Sequence, residues 1–261
     1  MPTLTTANDR RVSYRQTRDD VPPGTRPVLL VHRAGGSSRD WLEVIGRVGA
    51  LRRVVALDLP GHGRSDGRPL TTVADMAEHL AHCLRPLGLS EPVVCGHSMG
   101  GAVALETCLA RPAVASALVM IASAATLRVS RAILDAVRDH FEALPQLMGA
   151  MAFSKSTPED VVRSSLASLF DAPRDAVLAD LQACDSWGAE GRIGDLRIPV
   201  TLLLGKDDLL VPSWLGGRFG ERVAHARVQV VEGAGHMVPQ EQPSLVAEAL
   251  MAASAGASPA G

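Results

Sequence analysis

The chain has 261 residues, of which 46% are hydrophobic, and a formal net charge of −2. A chain of this length and apolar content can bury the core of one globular domain. Because its charge is close to neutral, nucleic acid and anionic membrane surfaces are not expected as partners. No apolar run approaches the ~20 residues that cross a bilayer, and the N-terminus lacks the apolar run of a signal peptide, so a cytoplasmic location is expected.

The four cysteines do not have the spacing of a metal site. They are Cys83, Cys95, Cys108 and Cys184, and each is expected to be a reduced packing residue. Nothing in the sequence implies a metal or an organic cofactor.

The first elements in chain order are β-type runs separated by helical stretches. Residues 11–16 and the segment before them predict an antiparallel hairpin. Apolar runs at residues 28–32 and 54–57 predict buried strands, with a helix at about 39–49 between them. Residues 72–84 predict a second helix, because their apolar side chains recur on one helical face.

A serine motif lies in the middle of the chain. The pattern Gly-x-Ser-x-Gly occupies residues 96–100, with Ser98 at its centre. It follows an apolar run at 93–95 and precedes a helix-forming run at 102–110. In a strand–turn–helix context the serine lies on a sharp turn, and its hydroxyl is held above the sheet edge at the positive end of a helix. Ser98 is therefore a candidate nucleophile, and the alternative is a glycine-rich loop without a catalytic role.

The second half of the chain continues the alternation. Residues 118–121, 201–204 and 228–231 predict further strands, and residues 243–252 predict the last helix. Strands that alternate with helices predict a mostly parallel sheet with helices on both faces.

Acidic residues and a histidine follow the last two predicted strands. Asp207 and Asp208 come just after one strand, and His236 lies in a turn after the next. Because the carboxyl ends of parallel strands meet at one edge of a sheet, these side chains are expected to lie near Ser98. Residue type alone does not choose between the two aspartates.

The order serine, acid, histidine resembles that of the α/β-hydrolase-fold enzymes, of the small bacterial esterase type. The run at 28–32 resembles the strand that enters the oxyanion loop of this family, and residues 58–66 resemble the loop after its next strand. The resemblance covers about residues 26–250, except for the segment near 124–192. It implies an α/β fold whose mostly parallel, eight-stranded-type sheet is flanked by helices, the α/β-hydrolase fold.

The resemblance also implies a catalytic triad. Ser98 would be the nucleophile and His236 the base that takes its proton. Asp208 would be the acid that orients the histidine, because the family places this acid three residues after the glycine that ends the strand, here Gly205. Asp207 would then be a turn or surface residue.

The oxyanion hole implied by the resemblance uses the backbone N–H groups of Met99 and Ala34. Relatives usually carry His-Gly in this loop, where this chain has His32 and Arg33. The resemblance gives His32 the role of marking the loop rather than that of the base. Three explanations of Arg33 stay open: it strains the loop, it points to solvent, or it reaches into the site and binds a carboxylate of the substrate.

The segment at 124–192 interrupts the alternation of strands and helices. It predicts helices at residues 131–144, 147–153, 158–170 and 172–183. In the family an insertion at this point is usually a helical cap. Residues 1–123 and 193–261 are therefore expected to form the hydrolase core, and residues 124–192 the cap.

The cap carries more apolar side chains than its own docking requires, which predicts an apolar pocket. The residues expected around the substrate are Arg33, His97, Phe141, Met148 and Met151. The cap residues could instead form only the core of the cap. The counterpart of His97 in the family is structural.

Three functions remain open. The first is a serine hydrolase that cleaves a carboxylic ester or lactone of a small to medium apolar substrate through an acyl-enzyme. The second is another reaction on the same triad, such as carbon–carbon bond hydrolysis of a diketone, or perhydrolysis. The third is a non-catalytic protein that keeps the triad for ligand binding, which only Arg33 favours.

Overall fold

The computed structural model describes residues 2–5, 11–17, 22, 24–167 and 172–255. Eight strands among these residues form one sheet. In chain order they are β1 (Thr3–Thr5), β2 (Arg11–Gln16), β3 (Val28–Val31), β4 (Val54–Leu57), β5 (Val93–His97), β6 (Ala117–Ile121), β7 (Val200–Gly205) and β8 (Arg227–Val231).

The strands lie in the spatial order β1-β2-β4-β3-β5-β6-β7-β8. β1 and β2 form the predicted antiparallel hairpin, and β2 also pairs antiparallel with β4. All pairings from β4 to β8 are parallel, so the carboxyl ends of these strands share one edge. The mostly parallel, eight-stranded sheet expected from the sequence is confirmed.

Helices connect the strands and cover the sheet. Those in the described residues are α1 (Leu42–Val48), α2 (Val73–Leu84), α3 (Met99–Ala110), α4 (Arg131–Asp139), α5 (Leu144–Met151), α6 (Glu159–Ala167), α7 (Arg174–Ser186), α8 (Leu215–Arg222), α9 (Val238–Glu241) and α10 (Pro243–Ser254).

Some helix boundaries differ from the prediction. The helix predicted at 131–144 ends at Asp139, and α5 begins at Leu144 instead of residue 147. The reason is Pro145, whose ring in a continuous helix would clash with the carbonyl four residues earlier, whereas the first turn of a new helix tolerates it. The helix predicted at 158–170 corresponds to α6, and its residues 168–170 lie outside the described residues.

Side chains of the central strands alternate between two hydrophobic layers. Leu29 and Val31 of β3 pack in the layer that also holds apolar residues of α2 and α3. Val28 and Leu30 pack on the other face, with apolar residues of α1 and α10. Burial on both faces explains why β3 reads as an unbroken apolar run rather than an alternating one.

Helices α4 to α7 lie between β6 and β7 along the chain. α4 and α7 pack on each other through a separate apolar cluster that includes Ile133, Val137 and Val177. We retain the division into a core and a cap at 124–192 as a proposal. Within the described residues, none of these or the other helices has the length and apolar character that crossing a membrane demands.

Candidate active site

Ser98 lies between β5 and α3 in a strained backbone conformation, with φ 54° and ψ −117°. Such a conformation costs a non-glycine residue on the order of 1–3 kcal/mol, so packing must hold it in place. The flanking glycines explain how. A side chain on Gly96 would collide with the backbone of α3 at Gly100, and one on Gly100 would collide with the carbonyl oxygen of Val31. The absence of these two side chains lets strand, turn and helix approach closely.

The three residues predicted as a triad are brought together in one chain of hydrogen bonds. His236 Nε2 lies 2.9 Å from the Ser98 hydroxyl oxygen. On the other side of the ring, Nδ1 lies 2.8 Å from Oδ2 of Asp208. Because the carboxylate can only accept, it holds the tautomer with the proton on Nδ1, and Nε2 is then free to accept the serine proton.

The two neighbouring aspartates have different environments. Asp208 is 3% exposed, and its Oδ1 accepts the N–H groups of Leu210 at 2.8 Å and Val211 at 2.9 Å. Asp207 is exposed, and its Oδ2 accepts the hydroxyl of Ser154 at 2.6 Å. Only Asp208 lies within hydrogen-bond distance of the histidine ring in this structure, as the resemblance implied.

His97 is hydrogen-bonded to the backbone of His236. It is buried, and its Nε2 donates to the carbonyl oxygen of His236 at 2.8 Å. Burial, followed by the neighbouring His236, lowers the pKa of His97 well below its usual value, so the ring is neutral. His97 is not among the residues that line the cavity beside Ser98.

His32 fixes the loop of residues 32–36, which follows β3. Its Nε2 accepts the N–H of Leu59 at 3.1 Å, so Nδ1 carries the proton and donates to the carbonyl oxygen of Arg33 at 2.7 Å. Burial, the largest cause, lowers the pKa of His32 well below its usual value. A neutral ring with both nitrogens engaged is a structural element and not a base.

Arg33 is neither strained nor solvent-facing. Its side chain is only 5% exposed, and the non-glycine residues with positive φ in the described chain do not include it. Its guanidinium donates to the carbonyl oxygen of Ala34 at 3.0 Å and approaches Oδ1 of the equally buried Asp40 at 3.4 Å. The chain therefore replaces the usual glycine with a buried ion pair.

Breaking this buried pair should destabilise the fold. Arg33→Met removes the guanidinium from the buried Asp40 carboxylate, and we expect it to lower the free energy of unfolding by about 3 kcal/mol. Arg111→Met is the matched control, because its partner Glu78 is 52% exposed and solvent screens an exposed pair, so we expect a much smaller loss. Urea denaturation of both variants measures the difference, and equal losses would contradict the assignment of a buried pair.

A cavity of about 190 Å³ opens beside the serine. Ser98, His236 and Ala34 lie on its wall, and most of the remaining lining is apolar. Helices α4, α5 and α7 contribute, among others, Ile133, Leu144, Met148, Met151, Val177 and Leu181. Of the predicted substrate contacts in this segment, Met148 and Met151 line the cavity, whereas Phe141 packs against the apolar cluster between α4 and α7.

The four cysteines lie in the interior. Burial raises the pKa of Cys83 and of Cys108 to about 12, so both are thiols at neutral pH. Across the described part of the chain, no cluster of three or more His, Cys, Asp or Glu side chains has the arrangement of a metal site.

Residues 28–249 match the model of a family described as the alpha/beta hydrolase family. The chain belongs to this family. The α/β-hydrolase fold and the activity class expected from the sequence, a hydrolase, are thereby confirmed.

Three relatives of this hydrolase illustrate the range of the family. A candidate carbamate hydrolase of Azorhizobium caulinodans, RutD, is 27% identical over 249 residues, which cover 86% of this chain and 89% of that protein. The (E)-2-((N-methylformamido)methylene)succinate hydrolase of Acinetobacter baylyi is 23% identical and covers 96% of both chains. The solved structure of a thermophilic esterase is 28% identical, with a TM-score of 0.82 and coverage of 95% of this chain and 94% of that one.

Sequence reasoning about this hydrolase missed the residues that hold the turn of His236. The carbonyl of Ala152, at the end of α5, accepts the N–H of His236 at 2.7 Å. Glu241 accepts the N–H groups of Gly235 at 2.9 Å and of Ser154 at 2.8 Å. A backbone carbonyl leaves no signal in the sequence, and a lone glutamate in a polar stretch leaves almost none.

Proposed function

We propose that this protein is a serine hydrolase that cleaves carboxylic esters or lactones of small to medium apolar substrates. The observation that carries the proposal is the chain of hydrogen bonds from Ser98 through His236 to Asp208 at the wall of an apolar cavity. The 28% identical thermophilic esterase, whose fold matches over most of both chains, supports the same reaction.

In the proposed mechanism His236 acts first as a base and then as an acid. Its Nε2 takes the proton of Ser98 as the serine oxygen attacks the carbonyl carbon of the substrate. The same nitrogen then protonates the departing alkoxide, which leaves an acyl group on Ser98. Asp208 stabilises the imidazolium that forms in each step. Water, deprotonated by His236, finally releases the acid.

The negative charge on the tetrahedral intermediate requires hydrogen-bond donors. Met99 is the first residue of α3, where no preceding turn of the helix offers a carbonyl to its N–H. Ala34 lies on the wall of the cavity that Ser98 also lines. We assign these two N–H groups to the oxyanion hole, where each donor typically lowers the barrier by ~2.7–4 kcal/mol.

The side chains that line the cavity favour a substrate with an apolar acyl group over an anionic substrate. Most of the wall from the 124–192 segment is aliphatic or methionine, with Arg128 and Ser130 as its polar members. The Arg128 guanidinium donates to the carbonyl oxygens of Asp185 at 2.7 Å and Trp187 at 3.4 Å. Arg33 also lines the cavity, but Asp40 already meets its positive charge. A carbamate is a second candidate, which the name of the relative from Azorhizobium caulinodans favours.

Covalent labelling and turnover together test the proposal. We expect a fluorophosphonate to modify Ser98 and, in the same samples, to abolish hydrolysis of p-nitrophenyl butyrate in proportion to the labelled fraction. Peptide mass mapping identifies the labelled serine. Turnover that survives complete labelling would contradict the assignment of the nucleophile, and labelling without turnover of any ester would favour a ligand-binding protein. Lactones, diketones and carbamates assayed under the same conditions rank the alternative reactions.

A further inference from the structure

Asp180 is a buried carboxylate that the proposed mechanism does not use. It lies on α7 of the cap and is 0% exposed. Its Oδ2 accepts two hydrogen bonds from the core, the N–H of Gly35 at 2.9 Å and Nε2 of His62 at 2.9 Å. A cap helix thus places a negative charge directly on the 32–36 loop.

His62 is the counter-ion of this carboxylate. Its Nδ1 faces the carbonyl oxygen of Pro60 at 3.1 Å, while its Nε2 faces Asp180. Both partners are acceptors, so both ring nitrogens donate, which is the arrangement of an imidazolium. Burial lowers the pKa of His62, but the hydrogen bond and charge of Asp180, the Pro60 carbonyl and the charge of Asp58 outweigh it, and the pKa is raised.

The peptide planes on both sides of Ala34 are fixed. In the first plane the carbonyl oxygen of Arg33 accepts His32 Nδ1 at 2.7 Å and the N–H of Gly36 at 3.1 Å. Because a trans peptide is planar, these bonds direct the Ala34 N–H to the opposite side. In the second plane the Arg33 guanidinium holds the Ala34 carbonyl, and the Gly35 N–H donates to Asp180.

We propose that Asp180 is a positioning residue through which the cap, with His62 as counter-ion, holds the oxyanion loop in its catalytic conformation. The inference rests on the proposed function, since it gives the Ala34 N–H a role in the oxyanion hole. Asp180 is not among the residues that line the cavity beside Ser98. Its effect reaches the reaction only through the Gly35 peptide, so it alters the rate of the chemical step and not the affinity for substrate.

The pair should also respond to pH. The groups that face His62 are Asp180 from α7, Asp58 from the end of β4 and the ring of His32, whose centroid lies 4.9 Å away. A raised pKa means that the imidazolium contributes its full stabilisation below pH ~6.5 and loses it as pH rises through the folded-state value. The hold on the loop is therefore weakest in alkaline solution.

Two variants and one matched control test this role. We expect Asp180→Ala to lower kcat for p-nitrophenyl butyrate about 100-fold, the size of loss that follows a small misplacement of catalytic groups, with KM within about twofold. Asp180→Asn keeps an acceptor for the Gly35 N–H but not the charge, and we expect about a tenfold loss. The control is Glu106→Gln. Glu106 joins α3 to the segment after α7, because it accepts hydrogen bonds from Trp187 at 2.9 Å and Arg192 at 2.7 Å. Neither partner belongs to the 32–36 loop, so the kcat of Glu106→Gln should stay within about twofold of the wild-type value.

The pH profile separates positioning from structural support. We expect the ratio of wild-type kcat to Asp180→Asn kcat to shrink between pH 6.5 and pH 10, as His62 loses its proton in the wild type. A ratio that stays constant would overturn the role of His62. Losses of kcat equal to that of Glu106→Gln, or a change in KM alone, would overturn the positioning role of Asp180. If Asp180→Ala does not fold, the kcat of Asp180→Asn, compared with that of Glu106→Gln, tests the positioning role.

Labelling distinguishes failure of this inference from failure of the proposed function. We expect the fluorophosphonate to label Ser98 more slowly in Asp180→Asn than in the wild type, because phosphonylation uses the same N–H donors. If the wild type is labelled at Ser98 and Asp180→Asn is labelled at the same rate, this inference alone is overturned. A wild type that neither labels at Ser98 nor hydrolyses esters would overturn both.

Discussion

Ser98→Ala should lower ester turnover about 10⁶-fold, the loss typical of a triad that has lost its nucleophile. The Ser98 hydroxyl is placed to act as the nucleophile, because its oxygen lies 2.9 Å from His236 Nε2 and Ser98 lies on the wall of the cavity. Burst and steady-state release of p-nitrophenolate from purified protein measure the effect.

The fold should survive this substitution. Alanine fits the space that serine occupies, so we expect the free energy of unfolding to change by no more than about 1 kcal/mol. Ser164→Ala is the matched control, because it removes an exposed hydroxyl on α6 whose partner is the carbonyl of Val161. Turnover by Ser98→Ala above a few per cent of that of Ser164→Ala would contradict the assignment.

Asp208→Asn should lower kcat about 10⁴-fold, because an amide facing Nδ1 of His236 stabilises the wrong tautomer. Asp207→Asn is the matched control, one residue away. Its carboxylate is exposed and contacts Ser154 rather than the histidine, so we expect a loss of less than about tenfold. Steady-state kinetics with p-nitrophenyl butyrate rank the two variants, and the reverse order would move the acid to Asp207.

The strands of the core were predictable because a strand that is buried on both faces appears in the sequence as a short, continuous apolar run. The prediction at 54–57 matches β4 without change, and that at 28–32 is one residue too long. Helix α8 was not predicted. Its sequence contains Gly216, Gly217 and Gly220, and glycine disfavours a helix. The helix packs closely on the sheet at Gly216, where a side chain would collide with Leu204 and Val228, so tertiary packing outweighs the low helix propensity.

The arrangement of the candidate site was predictable where it depends on chain order and residue type. Ser98, Asp208 and His236 follow separate strands whose parallel pairing brings them to one edge. Arg33 was not predictable, because its partner Asp40 is recognisable only once the loop has folded. The same holds for Asp180, which lies 145 residues from the glycine that it holds.

The contact of Ala152 with the turn of His236 limits how the cap can be exchanged between family members. The Ala152 carbonyl accepts the N–H groups of both His236 and Met237, and Gly235 has no side chain because the backbone of Phe153 lies where one would project. The segment after α5 therefore serves as a template for the turn that carries the base. A chimera that grafts a foreign lid in place of residues 124–192 would remove this template, whereas one that joins the foreign helices before Ala152 would keep it. Residues that are inserted together in the sequence at 124–192 thus do not all belong to one unit in three dimensions, because the segment after α5 supports the turn of His236.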